Sequence, residues 1–110
     1  MAWALEHETE SPYTQGRLGQ LRLSQGRFAE AEATFRQAAA QDEQEWLGSV
    51  ALALLGQGRS EEALATLDRW LEQAKARQWR ETLRWLAVVL RHAPQVPGVE
   101  ACRRRLVGHE

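Results

Sequence analysis

The segment Gln25–Thr34, QGRFAEAEAT, recurs 32 residues later as Gln57–Thr66, QGRSEEALAT, with seven of the ten positions identical. Each copy places a Gly-containing turn before a run rich in Ala and Glu, residues that favour helix. Because a single helical hairpin cannot bury its own apolar face, chains that repeat at such a spacing stack one hairpin on the next. The repeat therefore predicts at least two consecutive hairpins with the turn at the same place in each.

The composition of the whole chain agrees with a helical domain. Of its 110 residues, 44% are hydrophobic and 26% are charged, as in ordinary folded proteins. Ile is absent, and Ala, Leu, Gln, Glu and Arg dominate, so little of the chain favours strands. We expect an all-α protein with a single domain over residues 1–110.

Helix-start signals and apolar periodicity predict six helices. Ser11 and Pro12 begin the first, Asp42 and Glu45 form a capping box for the third, and Ser60 is the predicted N-cap of the fourth. The six predicted helices cover about residues 12–25, 28–40, 43–56, 60–74, 78–92 and 98–107. Joined by short turns, consecutive helices should pack as antiparallel neighbours.

This order divides the chain into hairpins at 12–42, 43–76 and 77–108, after an N-terminal segment, 1–11, that could be the tail of a preceding helix. Two of the helices have apolar stripes that predict their buried faces. The predicted stripe of the first helix is Tyr13, Leu18, Leu21 and Leu23, and that of the fifth is Trp79, Leu83, Leu86, Ala87 and Leu90.

No motif in the chain indicates catalysis, a cofactor or a metal. The three His are far apart in the sequence, Cys102 is the single Cys, and no glycine-rich phosphate loop follows a strand. We therefore expect a non-catalytic protein without cofactor or metal, in which Cys102 is a small buried thiol.

The chain also has no apolar run of the length that a membrane helix needs. The most apolar stretch, Val50–Leu55, is far shorter than the roughly 20 residues of a membrane span, and MAWALEHETE does not resemble a signal peptide. A single Cys permits no disulfide within the chain. These features predict a cytoplasmic protein that does not associate with membranes.

Charge is distributed unevenly along the chain. Residues 1–74 carry six Arg and twelve acids, whereas residues 75–110 carry eight basic side chains and three acids. The basic residues of the C-terminal third are Lys75, Arg77, Arg80, Arg84, Arg91, Arg103, Arg104 and Arg105. Opposite charge at the two ends could steer a second copy of the chain, and these cations, with Trp79 and Trp85, leave nucleic-acid binding as an alternative.

The first two hairpins resemble tetratricopeptide repeats, helical hairpins with an L-G pair in the first helix and A-x₃-F in the second. Matching positions in the first hairpin are Leu18-Gly19, Gly26 at the turn, Ala31-x₃-Phe35 and Ala38. Matching positions in the second are Val50-Ala51, Leu54, Gly58 at the turn and Ala63-x₃-Leu67. The third hairpin departs from the pattern.

The resemblance implies three stacked antiparallel hairpins whose first helices line a groove for a protein or peptide partner. Carried over by register, the groove residues are Tyr13, Arg17, Gln20, Leu52, Leu55, Arg84, Trp85, Val88 and Arg91. Members that bind chaperones clamp a C-terminal carboxylate with Lys and Asn, but Gly16 and Gln20 occupy the two main positions here. The expected groove is instead apolar in its middle, at Leu23, Leu52, Leu55 and Val88, and cationic at one end, which suits an amphipathic helix or an extended acidic peptide.

The Ala/Leu/Arg-rich helices and the GRF-x-EAE turn also resemble, more loosely, the helical-repeat domain of bacterial transcription activators like the maltose regulator. That resemblance implies a regulatory or sensor domain, either as part of a longer regulator or as a separate relative. Self-association and nucleic-acid binding remain alternatives to peptide binding.

Overall fold

The computed structural model describes residues 11–108, which form six α-helices and no strand. The helices are α1 (Pro12–Ser24), α2 (Phe28–Gln41), α3 (Glu43–Gly56), α4 (Ser60–Leu71), α5 (Ala76–His92) and α6 (Val99–Gly108). The predictions of an all-α class and of six helices are confirmed. Residues 1–10, which hold most of the predicted N-terminal segment, lie outside the described part of the chain.

The helix ends differ from the predictions in detail. Asp42 is the N-cap of α3, and its carboxylate accepts a hydrogen bond from the Glu45 N–H at 3.3 Å. Ser60, the predicted N-cap of α4, is instead the first residue of that helix, with Arg59 at the N-cap. The Ser60 hydroxyl donates to the Pro97 carbonyl, so it links α4 to the segment before α6.

The repeated sequence forms the same turn twice. Gly26 and Gly58 have φ angles of 76° and 81°, in the left-handed region that favours Gly. The Arg27 N–H donates to the carbonyl of Arg22, and the Gly26 N–H donates to that of Leu23; the second copy forms the equivalent two bonds. These are the bonds of a Schellman motif, which satisfies the last carbonyls of each helix.

An Arg and a Glu complete each turn in the same way. Arg27 binds the carboxylate of Glu30, and Arg59 binds that of Glu62, with the Glu three residues into the following helix in both copies. Glu32 then connects the two hairpins, because it accepts hydrogen bonds from Gln57 at 2.8 Å and from Arg59 at 2.9 Å. The identical residues of the sequence repeat therefore form turns with the same geometry.

Small residues bring the helices of each hairpin together, as the resemblance implied. A Cβ added to Gly19 would lie 2.6 Å from the Phe35 ring, so the backbone of α1 lies directly against this side chain of α2. The equivalent positions of the second hairpin are Ala51 and Leu67, both buried. The Gly and Phe of the first hairpin together fill a similar volume to the Ala and Leu of the second. A core tolerates exchanges that conserve volume in this way.

The third hairpin does not continue the packing order of the first two. Helices α1, α2 and α3 each pack on the next helix in the chain, but α5 packs mainly on α3, also contacts α1, and makes little contact with α4. The expectation that all consecutive helices are neighbours is therefore wrong at this step. Polar bonds hold α5 in place: Gln78 Nε2 donates to Glu45 of α3 at 2.8 Å, and His92 Nε2 donates to the Ser24 carbonyl of α1 at 2.7 Å.

Because α2, α4 and α5 all pack against α3, α3 is the central helix of the core. Its side chains are buried on nearly every side from Val50 to Leu55. This explains why the most apolar stretch of the sequence lies here, since only a helix surrounded by others can be apolar all round.

Two predicted apolar stripes are partly wrong. Of the α1 stripe, Leu23 is buried, but Tyr13, Leu18 and Leu21 are exposed, because α1 packs against the core through its glycines. In the α5 stripe, Trp79 and Leu86 are buried as predicted and Leu83 and Leu90 are half-buried, but Ala87 is exposed. The inward face of α5 therefore overlaps the predicted stripe and extends to the polar residues Gln78 and Thr82, which are buried.

Candidate binding cleft at the helix N-termini

Helices α1, α3 and α5 begin at the same end of the molecule, and a cleft of about 470 Å³ lies between their first turns. The contact between Gln78 and Glu45 joins the starts of α5 and α3, whereas the contact between His92 and Ser24 joins the ends of α5 and α1. The three helices therefore run parallel. The cleft is lined by Pro12, Tyr13, Arg17, Gln20, Asp42, Glu45, Trp46, Arg77 and Glu81.

Trp46 forms the apolar floor of the cleft. Its ring is 7% exposed and stacks on Phe35, with ring centroids 6.2 Å apart. On the side of α1 it packs directly against the backbone at Gly16, where an added Cβ would lie 2.1 Å from the indole. An aromatic surface at the floor of a cleft suits an apolar side chain of a ligand.

Tyr13 and Arg17 form the rim on α1. The Arg17 guanidinium donates to the Tyr13 hydroxyl at 2.9 and 3.1 Å, and it lies 5.2 Å from the centre of that ring. Among residues 11–108, Arg17 has no carboxylate partner. Because Tyr13 is 61% exposed, this pair presents an aromatic face and a cation to solvent.

Carboxylates occupy the opposite side of the cleft. Arg77 lies 3.5 Å from Glu45 and 4.0 Å from Glu81, and the Asp42 carboxylate accepts the Glu45 N–H. The lining thus holds three acids, Asp42, Glu45 and Glu81, and two cations, Arg17 and Arg77. This acidic excess differs from the cationic groove end that the sequence predicted.

The structure brings together three of the predicted groove residues, Tyr13, Arg17 and Gln20, in the cleft. Trp85 lines an adjoining cavity of about 20 Å³ with Gln20 and Glu81. That volume is sufficient for about one water molecule, so this cavity extends the cleft only slightly.

The other predicted groove residues lie elsewhere. Leu52 and Leu55 are 1% and 0% exposed, so the prediction that they line an open groove is wrong. They are buried because α3 is enclosed by its neighbours, including α5, which covers the side on which the groove was expected. Arg84 and Arg91 are exposed and Val88 is half-buried, and none of the three lines the cleft.

Sequence reasoning missed Asp42, Trp46 and Arg77 as cleft residues. Asp42 was predicted only as a helix cap, which it is in the structure, and Trp46 only as a residue of the third helix, where it is buried. Their sequence positions at the start of α3 could have indicated the cleft, because the first turns of parallel helices meet at one end. Arg77 carried no such signal, since the position of α5 departs from the repeat.

The described residues contain no group of three or more His, Cys, Asp or Glu side chains placed to hold a metal ion. Cys102, expected to be buried, is 1% exposed, and burial raises the pKa of its thiol to about 11. A thiol with this pKa is almost wholly protonated at neutral pH and reacts slowly.

Arg80, Arg84 and Arg91 are exposed on α5, but several other residues considered for nucleic-acid binding are buried or lie close to acids. Trp79 is buried, Arg77 lies near Glu45 and Glu81, and the arginines of α6 lie close to acids: Arg103 and Arg104 to Glu100, and Arg105 to Asp68. Within residues 11–108, no helix is both long enough and apolar enough to cross a membrane.

Comparison of the chain with protein-family models, with curated proteins and with solved structures finds no match. What this protein does is therefore inferred from its own residues and their geometry.

Proposed function

We propose that this chain is a non-catalytic protein-interaction domain that binds a short peptide segment in the cleft between α1, α3 and α5. The observation that supports this proposal is the cleft itself, of about 470 Å³, with an aromatic floor and charged walls. Its volume lies within the range of about 300–1,000 Å³ that is typical of ligand sites.

The lining favours one kind of peptide. An apolar side chain would lie against Trp46, and a neighbouring Lys or Arg would face Asp42, Glu45 and Glu81. Arg17 would donate hydrogen bonds to carbonyl or carboxylate oxygens of the same segment, because it has no acid partner among the described residues.

The position of α5 limits the length of the ligand. In a regular array the groove would extend along α3 past Leu52 and Leu55, but both side chains are buried. A long helix laid along the groove would have to displace α5, whereas a few residues at the helix N-termini displace nothing. We therefore favour a short segment over the amphipathic helix that the resemblance implied.

We also propose that the first two hairpins are tetratricopeptide-like. Two observations support this: the repeated Schellman turns at Gly26 and Gly58, and the burial of the small residues Gly19 and Ala51 at equivalent positions of the two hairpins. The departure of α5 from the packing order distinguishes the third hairpin from the other two.

A selection from a display library of random short peptides tests the proposed function. Binding peptides should share an apolar residue next to Lys or Arg, and Glu81→Lys should weaken their binding by about tenfold or more because it opposes like charges. The matched control is Glu100→Lys, the same charge change at an exposed residue of α6 that does not line the cleft. Selected peptides that bind wild type and Glu81→Lys equally well would place the binding site elsewhere.

A further inference from the structure

Two exposed stripes of opposite charge occupy the outward faces of α4 and α5. The acidic stripe is Glu61, Ala65, Asp68 and Glu72, and the basic stripe is Arg80, Arg84, Ala87 and Arg91. Both sets follow the spacing i, i+4, i+7, i+11, which places all four members on one face of a helix. Every one of the eight residues is exposed.

Most of these charges are not neutralised within the molecule. Among residues 11–108, Glu61, Glu72, Arg84 and Arg91 take part in no salt bridge. Arg80 lies over the Trp79 ring, 5.3 Å from its centre. Within the described part of the chain, Asp68 is the one stripe residue with an opposite charge as a partner, Arg105 of α6 at 2.7 Å.

The two stripes complement each other in one direction only. When α4 is aligned antiparallel to α5, Glu61 lies opposite Arg91, Asp68 opposite Arg84 and Glu72 opposite Arg80, while Ala65 lies opposite Ala87. A parallel alignment instead places Ala65 opposite Arg84 and Asp68 opposite Ala87. Antiparallel pairing thus matches every charge and also places the two small residues together, where helix axes can approach closely.

Within one molecule α4 and α5 cannot pair in this way, since both stripes face outward and the two helices make little contact. We propose that the partner of the basic stripe is a second copy of this chain, which presents its acidic stripe antiparallel to α5. The two surfaces are different, so the contact is head-to-tail and extends beyond a dimer unless the rotation closes a ring. This surface is separate from the proposed peptide cleft and does not depend on it.

Light scattering over a concentration series measures the mass of the wild type and of variants in which stripe charges are reversed, and so tests this proposal. Two variants reverse the outer pairs, Glu61→Arg/Glu72→Arg and Arg80→Glu/Arg91→Glu, and both leave the Asp68–Arg105 bridge intact. Wild type should increase in mass with concentration at about 0.02 M salt and much less at about 0.5 M. Each variant alone should need about tenfold higher concentration to associate, because two attractive pairs become repulsive.

An equimolar mixture of the two variants should associate as wild type does, because the reversed stripes again match. Lys75→Glu/Arg103→Glu is the control for net charge, and it should behave as wild type. Circular dichroism of each variant distinguishes lost association from lost folding. A wild type that stays monomeric at low salt overturns the proposal, and so does a mixture that associates no more strongly than its components. Monomeric protein that binds single-stranded DNA through Arg80 and Arg91 would overturn it in favour of a nucleic-acid surface.

Discussion

His92 at the end of α5 donates a hydrogen bond from its Nε2 to the carbonyl oxygen of Ser24 at the end of α1, at 2.7 Å. Its ring also meets that of Phe28 edge-on, with centroids 6.3 Å apart. This contact holds α5 against α1 at the end of the molecule opposite the cleft. Together with the bond from Gln78 to Glu45 it determines where α5 lies over α3.

Replacing His92 should loosen α5. In His92→Ala both the hydrogen bond and the ring contact are lost, and we expect a loss of about 1–2 kcal/mol in the free energy of unfolding. Urea denaturation followed by circular dichroism measures it. Gln95→Ala is the neighbouring control, since that exposed side chain forms no hydrogen bond or salt bridge within residues 11–108 and lies outside both charged stripes. Equal stability of the two variants would show that the His92 contact does not position α5.

Gly16 should not tolerate a side chain. Because a Cβ at this position would lie 2.1 Å from the Trp46 indole, Gly16→Ala forces the ring or α1 to shift. We expect a loss of about 1–3 kcal/mol, although Ala is the better helix former. Thermal melting measures the loss, and near-ultraviolet circular dichroism reports the displaced Trp.

Gly108→Ala is the control for Gly16→Ala, because an added Cβ at Gly108 meets nothing within 4 Å. It should leave the melting temperature unchanged or raise it slightly. A stability gain in both variants would mean that helix propensity outweighs packing at Gly16.

Local signals predicted most of the fold. Gly26, Gly58 and Asp42 each specify a turn or a cap through their own backbone, so helix ends near them could be read from the sequence. The position of α5 could not, because it depends on hydrogen bonds from Gln78 and His92 to residues far away in the chain. Polar anchors of this kind leave no periodic pattern.

The contrast between local signals and the position of α5 also explains which residues of the site could be predicted from the sequence. Tyr13, Arg17 and Gln20 lie in the part of the chain that follows the repeat, and the register placed them in the cleft. Leu52 and Leu55 follow the repeat as well, but α5 packs against α3 and their side chains are buried. An error in the position of one helix was therefore sufficient to misplace half of the predicted groove.

The repeated turns should be sensitive to residues other than Gly. Gly58→Ala places a Cβ in open space but at a φ of 81°, so its expected cost of about 1–2 kcal/mol comes from backbone strain alone. Gly26→Ala should cost more, since its Cβ would also lie 3.0 Å from His92 Nδ1. Urea denaturation compares the two.

Two further variants separate strain from contact. Gly58→Asn should lose less stability than Gly58→Ala, because Asn adopts left-handed backbone more readily. In a His92→Ala background, Gly26→Ala should cost the same as Gly58→Ala. A difference that persists in that background would exclude the His92 ring as its cause.

Glu32 should make stability depend on pH. Burial raises the pKa of Glu32, but hydrogen bonds from Gln57 and Arg36 and the charges of Arg36 and Arg59 lower it by more, so the net shift is below the ordinary value of 4.5. The folded state therefore favours the carboxylate, which stabilises the protein above about pH 4.5 and loses this effect as the pH falls through the lowered pKa.

Near neutral pH, Glu32→Gln should lower the free energy of unfolding by about 1–3 kcal/mol, and the difference from wild type should shrink in acid. Urea denaturation at a series of pH values measures both curves, with Glu72→Gln as the exposed control that should follow wild type. If the Glu32→Gln and wild-type curves stay parallel down to the most acidic pH, the carboxylate of Glu32 does not hold the two hairpins together.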